Sequence, residues 1–273
     1  MKRSIALATG LLLAVPVPGA ARAGDWSWSA GLHDTFVSDM SSHTLGLDGT
    51  AYYDHVTASG IHMFGDAQLF VDHDRDHLDP DHIPIWWKLN FEIANSITRG
   101  TGDFDVEWLL EVRTRMNTVS NIERQVKAAP GIRMKYDSGR FSTSVKGLAG
   151  WFFQEIDDDV AKERGYTRND FRNKTGAVSL MADAAFAVGK SSRLYVSAQQ
   201  WHDGDTWLED QFTASFRQDA DRIWANSDIA FEVIYSKYNL DLYTASEPTD
   251  PYLPILPWDD DLFVKLTFNA SRW

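Results

Sequence analysis

Two neighbouring stretches of the chain, 61–73 and 85–97, alternate between apolar and mixed side chains at every second position. One phase is apolar and consists of Met63, Gly65, Ala67, Leu69 and Val71, followed by Ile85, Trp87, Leu89, Phe91 and Ile93. The other phase carries Phe64, Asp66, Gln68, Phe70 and Asp72, followed by Trp86, Lys88, Asn90 and Glu92. Side chains that alternate with a period of two lie on opposite faces of a strand, so the pattern predicts two long β-strands.

A long strand with one apolar face and one polar face is typical of a transmembrane β-barrel. Its apolar side chains face lipid, and its polar side chains face a wet lumen. A soluble sandwich usually has shorter strands and keeps its polar face outermost. The segment 73–82 between the two stretches is dense in Asp and His, so we expect a loop at the membrane surface.

The alternation recurs along the chain and predicts about 12 antiparallel strands of an all-β, up-and-down barrel. It is clearest over 104–116, where Glu107 and Arg113 belong to the polar phase. Further strands are expected near 24–37, 45–57, 132–136, 141–153, 178–187, 193–201, 209–216, 223–243 and 262–268, with polar loops at 117–129, 155–176 and 247–260. Short turns then alternate with long loops, and an even count places both termini in the periplasm. This count treats 223–243 as one bulged strand.

The first 23 residues have the features of a secretory signal peptide. Lys2 and Arg3 precede an apolar run, and Ala21-Arg22-Ala23 is a small-x-small cleavage site, so we expect a mature barrel domain of residues 24–273. An uncleaved helical anchor is the alternative, but the run is shorter than a membrane-spanning helix requires. The expected location is therefore the outer membrane, in contact with lipid and lipopolysaccharide.

Composition narrows the possible chemistry. The chain contains no cysteine, which excludes disulfides and thiolate metal sites. Its net charge of −13, which becomes more negative without the three signal-peptide cations, disfavours nucleic acid as a partner. The 11 tryptophans include many near the ends of predicted strands, where they would form aromatic girdles. We expect a monomer and no cofactor.

The C-terminal segment resembles the last strand of outer-membrane proteins, which ends on an aromatic residue. The run LFVKLTF alternates up to Phe268, but residues 269–273 follow it, and Trp273 is out of phase with Phe268. Either a bulge lies between the two aromatic residues or the tail is an addition to the barrel.

The polar phase supplies candidate residues for solute binding. Aromatic faces can stack on a nucleobase, while carboxylate, amide and guanidinium groups can bond its edge and ribose. The candidate lumen residues are Phe64, Asp66, Gln68, Phe70, Asp72, Trp86, Lys88, Asn90, Glu92, Glu107 and Arg113, with Phe152, Tyr195, Gln199 and Trp201 as further inward positions. The alternative interpretation is that these groups fill a wet lumen and pair across neighbouring strands. Asp105, Glu107 and Glu111 are expected to face Lys88 and to make a field of both signs with Arg133 or Lys135, which suits neutral polar solutes.

Metal and hydrolase sites have weaker signals. The 73–82 loop offers imidazole and carboxylate ligands, but it matches no EF-hand or zinc spacing, so we predict no specific metal site. No Gly-x-Ser-x-Gly motif is present, and we assign no catalytic residue. A Ser–His pair assembled in space at the outer rim would instead indicate a lipid-modifying hydrolase.

Two segments resemble the Tsx-like family of nucleoside-specific, channel-forming outer-membrane proteins. They are HVTASGIHMFGDAQLFVDH, with Gly65, Asp66, Phe70 and Asp72 at the matching positions, and FEVIYSKYNLDL. The resemblance implies a 12-stranded barrel with a narrow, aromatic-containing passage, and it covers only these segments and the general architecture. We therefore expect a porin-like channel for small polar solutes such as nucleosides; a lipid-modifying hydrolase and a non-conducting surface barrel are the alternatives.

Overall fold

The computed structural model describes residues 25–38, 41–73, 85–98, 103–116, 122–156, 171–240 and 259–271. They form 12 strands: β1 (Asp25–Val37), β2 (Ser42–Val56), β3 (His62–His73), β4 (Ile85–Thr98), β5 (Phe104–Met116), β6 (Ile122–Asp137), β7 (Phe141–Ile156), β8 (Arg172–Ala187), β9 (Ser192–His202), β10 (Trp207–Asp219), β11 (Ser227–Tyr238) and β12 (Asp260–Ser271). Each strand pairs antiparallel with its sequence neighbours, and β12 pairs with β1 to close the barrel. This confirms the prediction of an all-β, 12-stranded, up-and-down barrel.

The outer surface of the barrel is apolar. Leu47, Leu180 and Phe212 are each at least 60% exposed, and they point away from the lumen. So many large exposed apolar side chains favour contact with lipid rather than water. Among the described residues, no helix is long and apolar enough to cross a membrane.

The two ends of the barrel differ in the length of their connections. At one end, which we call the short-turn end, the connections are 57–61, 99–103, 138–140, 188–191 and 220–226. The opposite end, the long-loop end, has connections of up to 21 residues (239–259). Outward aromatic pairs, Phe104 with Tyr136 and Phe141 with Phe186, lie beside the short turns, where an aromatic girdle is expected.

Strand β6 corrects the prediction of a polar loop over 117–129. It begins at Ile122, and its inward residues Gln125 and Lys127 are buried in the lumen. The strand predicted at 132–136 is the second half of β6; the first half is hidden in the sequence because its outward side chains include small residues and Pro130. Pairing with β7 is interrupted between Ala128 and Gly131, so Pro130, which has no N–H, sits where no ladder bond is needed on that side.

Other boundaries also differ from the predicted ones. β7 extends to Ile156 and β8 begins at Arg172, so the predicted loop 155–176 contains more strand than expected. The strand expected near 209–216 is longer, since β10 spans Trp207–Asp219. The predicted strand 223–243 starts at Ser227. The preceding turn has Asn226 at a φ of 55°, and the Asp221 side chain accepts its N–H at 2.9 Å.

The C-terminal strand passes Phe268 without a break. Asn269 and Ala270 continue the ladders with β1 and β11, Ser271 continues the ladder with β1, and neither pairing shows a register shift there. The tail up to Ser271 is therefore part of the barrel, with no bulge after Phe268. Trp273 and the predicted signal peptide lie outside the described residues.

Candidate functional site

Alternation along the strands places all 11 predicted lumen residues on the inner face of the barrel. Four of them, Phe70, Asp72, Trp86 and Glu107, are buried. The other seven are partly exposed to the lumen: Phe64, Asp66, Gln68, Lys88, Asn90, Glu92 and Arg113. Their positions agree with the sequence pattern, while their role in solute binding stays a prediction.

The lumen contains an aromatic cluster that joins distant strands. Phe70 and Trp86 stack in parallel with ring centroids 3.8 Å apart, and Phe263 of β12 meets both rings nearly edge-on at 5.7 and 6.0 Å. His33 of β1 stacks on Phe263 at 5.3 Å. These flat faces fix one another's orientation and form a rigid wall within the lumen.

Charged groups hold this aromatic cluster in place. Asp72 contacts the His33 Nε2 at 2.6 Å and accepts the Trp86 indole N–H at 2.8 Å. Asp48 pairs with the Lys265 ammonium at 2.8 Å and lies 3.7 Å from His33 Nδ1. Each buried carboxylate therefore has a charged or hydrogen-bonding partner, as burial of charge requires.

A second aromatic cluster lies on the other side of the lumen. Phe152 and Trp201 have ring centroids 6.0 Å apart, and the Lys127 ammonium lies 5.5 Å from each ring. Lys127 also pairs with Glu209 at 2.6 Å, and the Gln125 amide donates to the same carboxylate at 2.7 Å. The arrangement joins β6 and β10 across the lumen.

Cross-lumen contacts close the passage toward the long-loop end. Arg115 of β5 donates to the Tyr238 hydroxyl of β11 at 2.5 Å, and these two strands are on opposite sides of the barrel. Tyr238 also packs with Ile122, Ile156 and Phe171. We call this level the closed layer; it comprises the buried residues Phe70, Asp72, Trp86, Lys127, Phe152, Trp201, Glu209 and Tyr238.

Part of the remaining lumen is more open, although inner-face groups such as Glu111, Lys146 and Gln199 are buried. Side chains facing it from β3, β4, β9 and β10 are partly exposed, and we call them the lumen chamber: Asp66, Gln68, Asn90, Glu92, Tyr195, Ser197, Thr213 and Ser215. Asp66 accepts hydrogen bonds from Asn90 at 2.9 Å and from Gln68 at 2.6 Å. The chamber thus presents oriented amide and carboxylate groups to its contents.

One wall of the lumen is a network of paired charges. Arg133 bridges Glu92 and Glu107 at 2.7 Å each, Lys135 reaches Glu107, and Lys146 contacts Glu111. Arg113 contacts Glu111 at 2.8 Å and crosses to Gln199 of β9 at 3.1 Å. A field of both signs is therefore present, as predicted.

Lys88 departs from the expected pattern. We predicted that it faces Asp105, Glu107 and Glu111, but it contacts none of them; its ammonium lies over the rings of Phe70, Trp86 and Phe263. The reason is register, since Lys88 pairs with Arg115 of β5, whereas Glu111 lies opposite Glu92. Lys88 therefore belongs to the aromatic cluster and not to the charged wall.

Several residues of the lumen were missed by the sequence argument. They are His33, Asp48, Arg115, Glu209, Tyr238, Phe263 and Lys265. A signal existed for Arg115, which shares the polar phase of Glu107 and Arg113. No local signal joins Lys127 to Glu209 or Arg115 to Tyr238, because these contacts depend on barrel closure between strands far apart in sequence.

A hydrolase site would need a Ser–His pair at the rim, and a metal site would need several ligands close together. His43 Nδ1 lies 2.8 Å from the Asp34 carboxylate near the long-loop end, and its other described contact is the Phe36 ring. Within the described ranges, no group of three or more His, Asp or Glu is placed to hold a metal ion. Residues 74–82 of the Asp- and His-rich loop lie outside those ranges.

Comparison with known proteins gives a likeness of fold and no family. The chain matches no family model and no curated protein. One similar solved structure is the NanC porin, with 8% identity and a TM-score of 0.49 over 90% of this chain and 100% of that chain. Another is the COG4313 outer membrane channel from Pseudomonas putida F1, with 9% identity and a TM-score of 0.48 over 94% of this chain and 100% of that chain. A third is outer membrane phospholipase A from Escherichia coli, with 8% identity and a TM-score of 0.45 over 89% of this chain and 90% of that chain. At these identities and TM-scores, the similarities carry no functional conclusion, and the resemblance to the Tsx-like family stays a prediction.

Proposed function

We propose that this protein is an outer-membrane channel for small polar solutes, with nucleosides as its solute class. The observation that carries the proposal is a polar, partly open lumen chamber enclosed by an apolar outer surface. A barrel that only anchors a surface structure has no need for an accessible chamber lined with oriented amide and carboxylate groups. A channel needs such groups because they replace water around the passing solute.

The nucleoside assignment is supported by the chemistry of the lumen. Asp66, Gln68 and Asn90 can accept from and donate to the edge of a base or the hydroxyls of a ribose. Phe64 lies on the same inward face and is partly exposed, so its ring is the aromatic face that a base in the chamber would meet, whereas Phe70 and Trp86 belong to the closed layer and stack on each other. Stacking on aromatic rings contributes roughly 1–3 kcal/mol per base and tolerates different bases.

Transport requires the closed layer to open, at least transiently. The Arg115–Tyr238 contact joins two side chains rather than two backbone segments, so rotation about side-chain bonds can break it without disturbing the barrel. Side-chain motions are fast compared with loss of strand pairing. The closed layer therefore acts as the constriction, and the lumen chamber, on its short-turn side, acts as the binding region.

Swelling of proteoliposomes tests this function. Refolded mature protein should admit ribose and adenosine into liposomes and exclude a large oligosaccharide. Asp66→Ala should slow adenosine entry more than ribose entry, because it removes the acceptor that orients Gln68 and Asn90. Ser138→Ala, in a short turn outside the lumen, is the control and should match the wild type.

Two results would count against the proposal. Folded protein that admits neither solute would contradict the channel itself. Entry of ribose and adenosine at rates that Asp66→Ala leaves in the same ratio would contradict the nucleoside assignment while leaving the channel in place.

A further inference from the structure

Lys88 differs from the other lysines of the lumen in its partners. Lys127, Lys135, Lys146 and Lys265 each contact a carboxylate. Within the described part of the chain, Lys88 makes no such ion pair, and its ammonium lies 5.0 Å from the Trp86 ring, 5.3 Å from the Phe263 ring and 5.6 Å from the Phe70 ring. An ammonium over aromatic faces is stabilised by the ring electrons, but its N–H donors stay available.

Lys88 lines a narrow crevice between the two sides of the lumen. The charged groups of this crevice are Lys88, Arg115 and Asp261, while Trp86 and Phe263 form apolar walls. Two of these three groups are cations, and Lys88 is the cation that lies over the aromatic rings. Because little water is present to screen it, the attraction between the Lys88 ammonium and an anion would be stronger here than at the protein surface.

A second, independent observation marks the same crevice. Thr35 also lines it, and this residue is only 3% exposed. Its hydroxyl is buried and has no hydrogen-bond partner among the residues that the structure describes. A buried hydroxyl without a partner is costly, so a ligand that accepts its hydrogen would recover that free energy.

We propose that this crevice binds the anionic group of a small solute whose flat or apolar part rests against the aromatic walls. The inference rests on the proposed channel function and adds to its neutral solutes a class that carries an anionic group. Lys88 supplies a charge-assisted hydrogen bond, and Thr35 donates a second hydrogen bond to the same group. Trp86 and Phe263 contact the adjoining flat part.

The crevice adjoins the lumen chamber. Lys88 is partly exposed, and the next inward residue of β4 toward the short-turn end, Asn90, belongs to the chamber. Because the crevice is narrow, the anionic group and the adjoining flat part bind at its mouth, and the remainder of the solute stays in the chamber. A neutral nucleoside would use the chamber alone, and a solute with a carboxylate or phosphate would use both.

Equilibrium binding to the refolded full chain in detergent micelles tests the inference. Benzoate and benzamide share a flat ring but differ in charge, as do adenosine 5′-monophosphate and adenosine. The wild type should bind at least one anionic probe roughly tenfold more tightly than its neutral counterpart, because a charge-assisted hydrogen bond contributes about that factor. Preference for benzoate identifies a carboxylate, and preference for the monophosphate identifies a phosphate.

Variants test whether Lys88 and Thr35 cause the preference for the anionic probe. Lys88→Met keeps the unbranched stem and should remove the preference, while Thr35→Val keeps the shape and should weaken binding of the anionic probe several-fold. Lys190→Met removes the same charge from an exposed short turn and should bind as the wild type does. Should Lys88→Met fail to fold, Thr35→Val alone still tests the site.

Equal binding of the charged and neutral probes of both pairs would overturn the inference, as would Lys88→Met or Thr35→Val protein that binds the anionic probe like the wild type. These outcomes are separable from a failure of the channel. Binding in micelles does not require transport, so a charge preference without swelling would reject the channel and keep the site. Swelling without a charge preference would reject the site and keep the channel.

Discussion

At the scale of single residues, the position of the His33 side chain in the lumen depends on Gly46, because the His33 ring lies over the space that a larger residue would fill. His33 lies directly over Gly46 of the neighbouring strand and reaches Asp72 of the strand beyond it. A Cβ added at Gly46 would lie 2.4 Å from His33 Nε2 and 2.6 Å from the carbonyl oxygen of Val71. The His33–Asp72 contact is therefore compatible with glycine alone at this position.

Gly46→Ala should lower the free energy of unfolding by about 1–3 kcal/mol, because overpacking moves side chains and backbone from their preferred positions. Unfolding by urea, followed by tryptophan fluorescence, measures the change. Gly147→Ala is the matched control, since a Cβ there meets nothing within 4 Å, and its effect should stay within about 0.5 kcal/mol. Equal stability of the two variants would show that His33 is not held over Gly46.

At the scale of strands, the C-terminal tail contributes to barrel closure. Asn269 and Ser271 pair with Ser29 and Ser27 of β1, and the Asn269 amide donates to Asp228 of β11 at 2.7 Å. The residues after Phe268 thus join the first and last strands, where closure removes two unpaired edges.

A chain that ends at Phe268 should fold in lower yield and unfold at a lower temperature than the full chain. A chain that ends at Ser271 is the control and should keep the stability of the full chain, since it retains every described pair of β12. Migration of unheated and heated samples on detergent gels separates folded from unfolded barrel. Full stability of the chain ending at Phe268 would contradict a structural role for the tail.

Strand faces could be predicted from the sequence, because lipid and lumen impose opposite polarity on alternate residues. The faces of β3, β4 and β5 follow directly from this alternation. The first half of β6 was missed because its buried Gln125 and Lys127 look like loop residues unless a charged partner such as Glu209 is known; its second half falls on the predicted strand at 132–136. Cross-lumen contacts could not be predicted, because they depend on which strands lie opposite each other once the barrel has closed.

At the scale of the whole molecule, the barrel separates an apolar exterior from a charged interior. Leu180 lies at the middle of β8 and is 64% exposed on the outside, while Val188 lies in the short turn after that strand. If the outer surface spans a bilayer, the cost of an outward charge should depend on depth.

Leu180→Arg should lower the free energy of unfolding in lipid by about 2–4 kcal/mol, and Val188→Arg by about 0–1 kcal/mol, because only the first places a cation near the bilayer midplane. Unfolding by guanidinium in lipid vesicles compares the two. Similar small losses for both variants would contradict a lipid-facing position for Leu180.

The most direct test of the account is single-channel conductance of the refolded protein in a planar bilayer, with Tyr238→Ala beside the wild type. Tyr235→Ala is the matched control, because Tyr235 lies on the same strand but points outward. If the Arg115–Tyr238 contact constricts a passage, the wild type and Tyr235→Ala should show the same small conductance, and Tyr238→Ala should show a larger one. Folded protein that carries no current in any of the three forms would contradict a channel through this lumen.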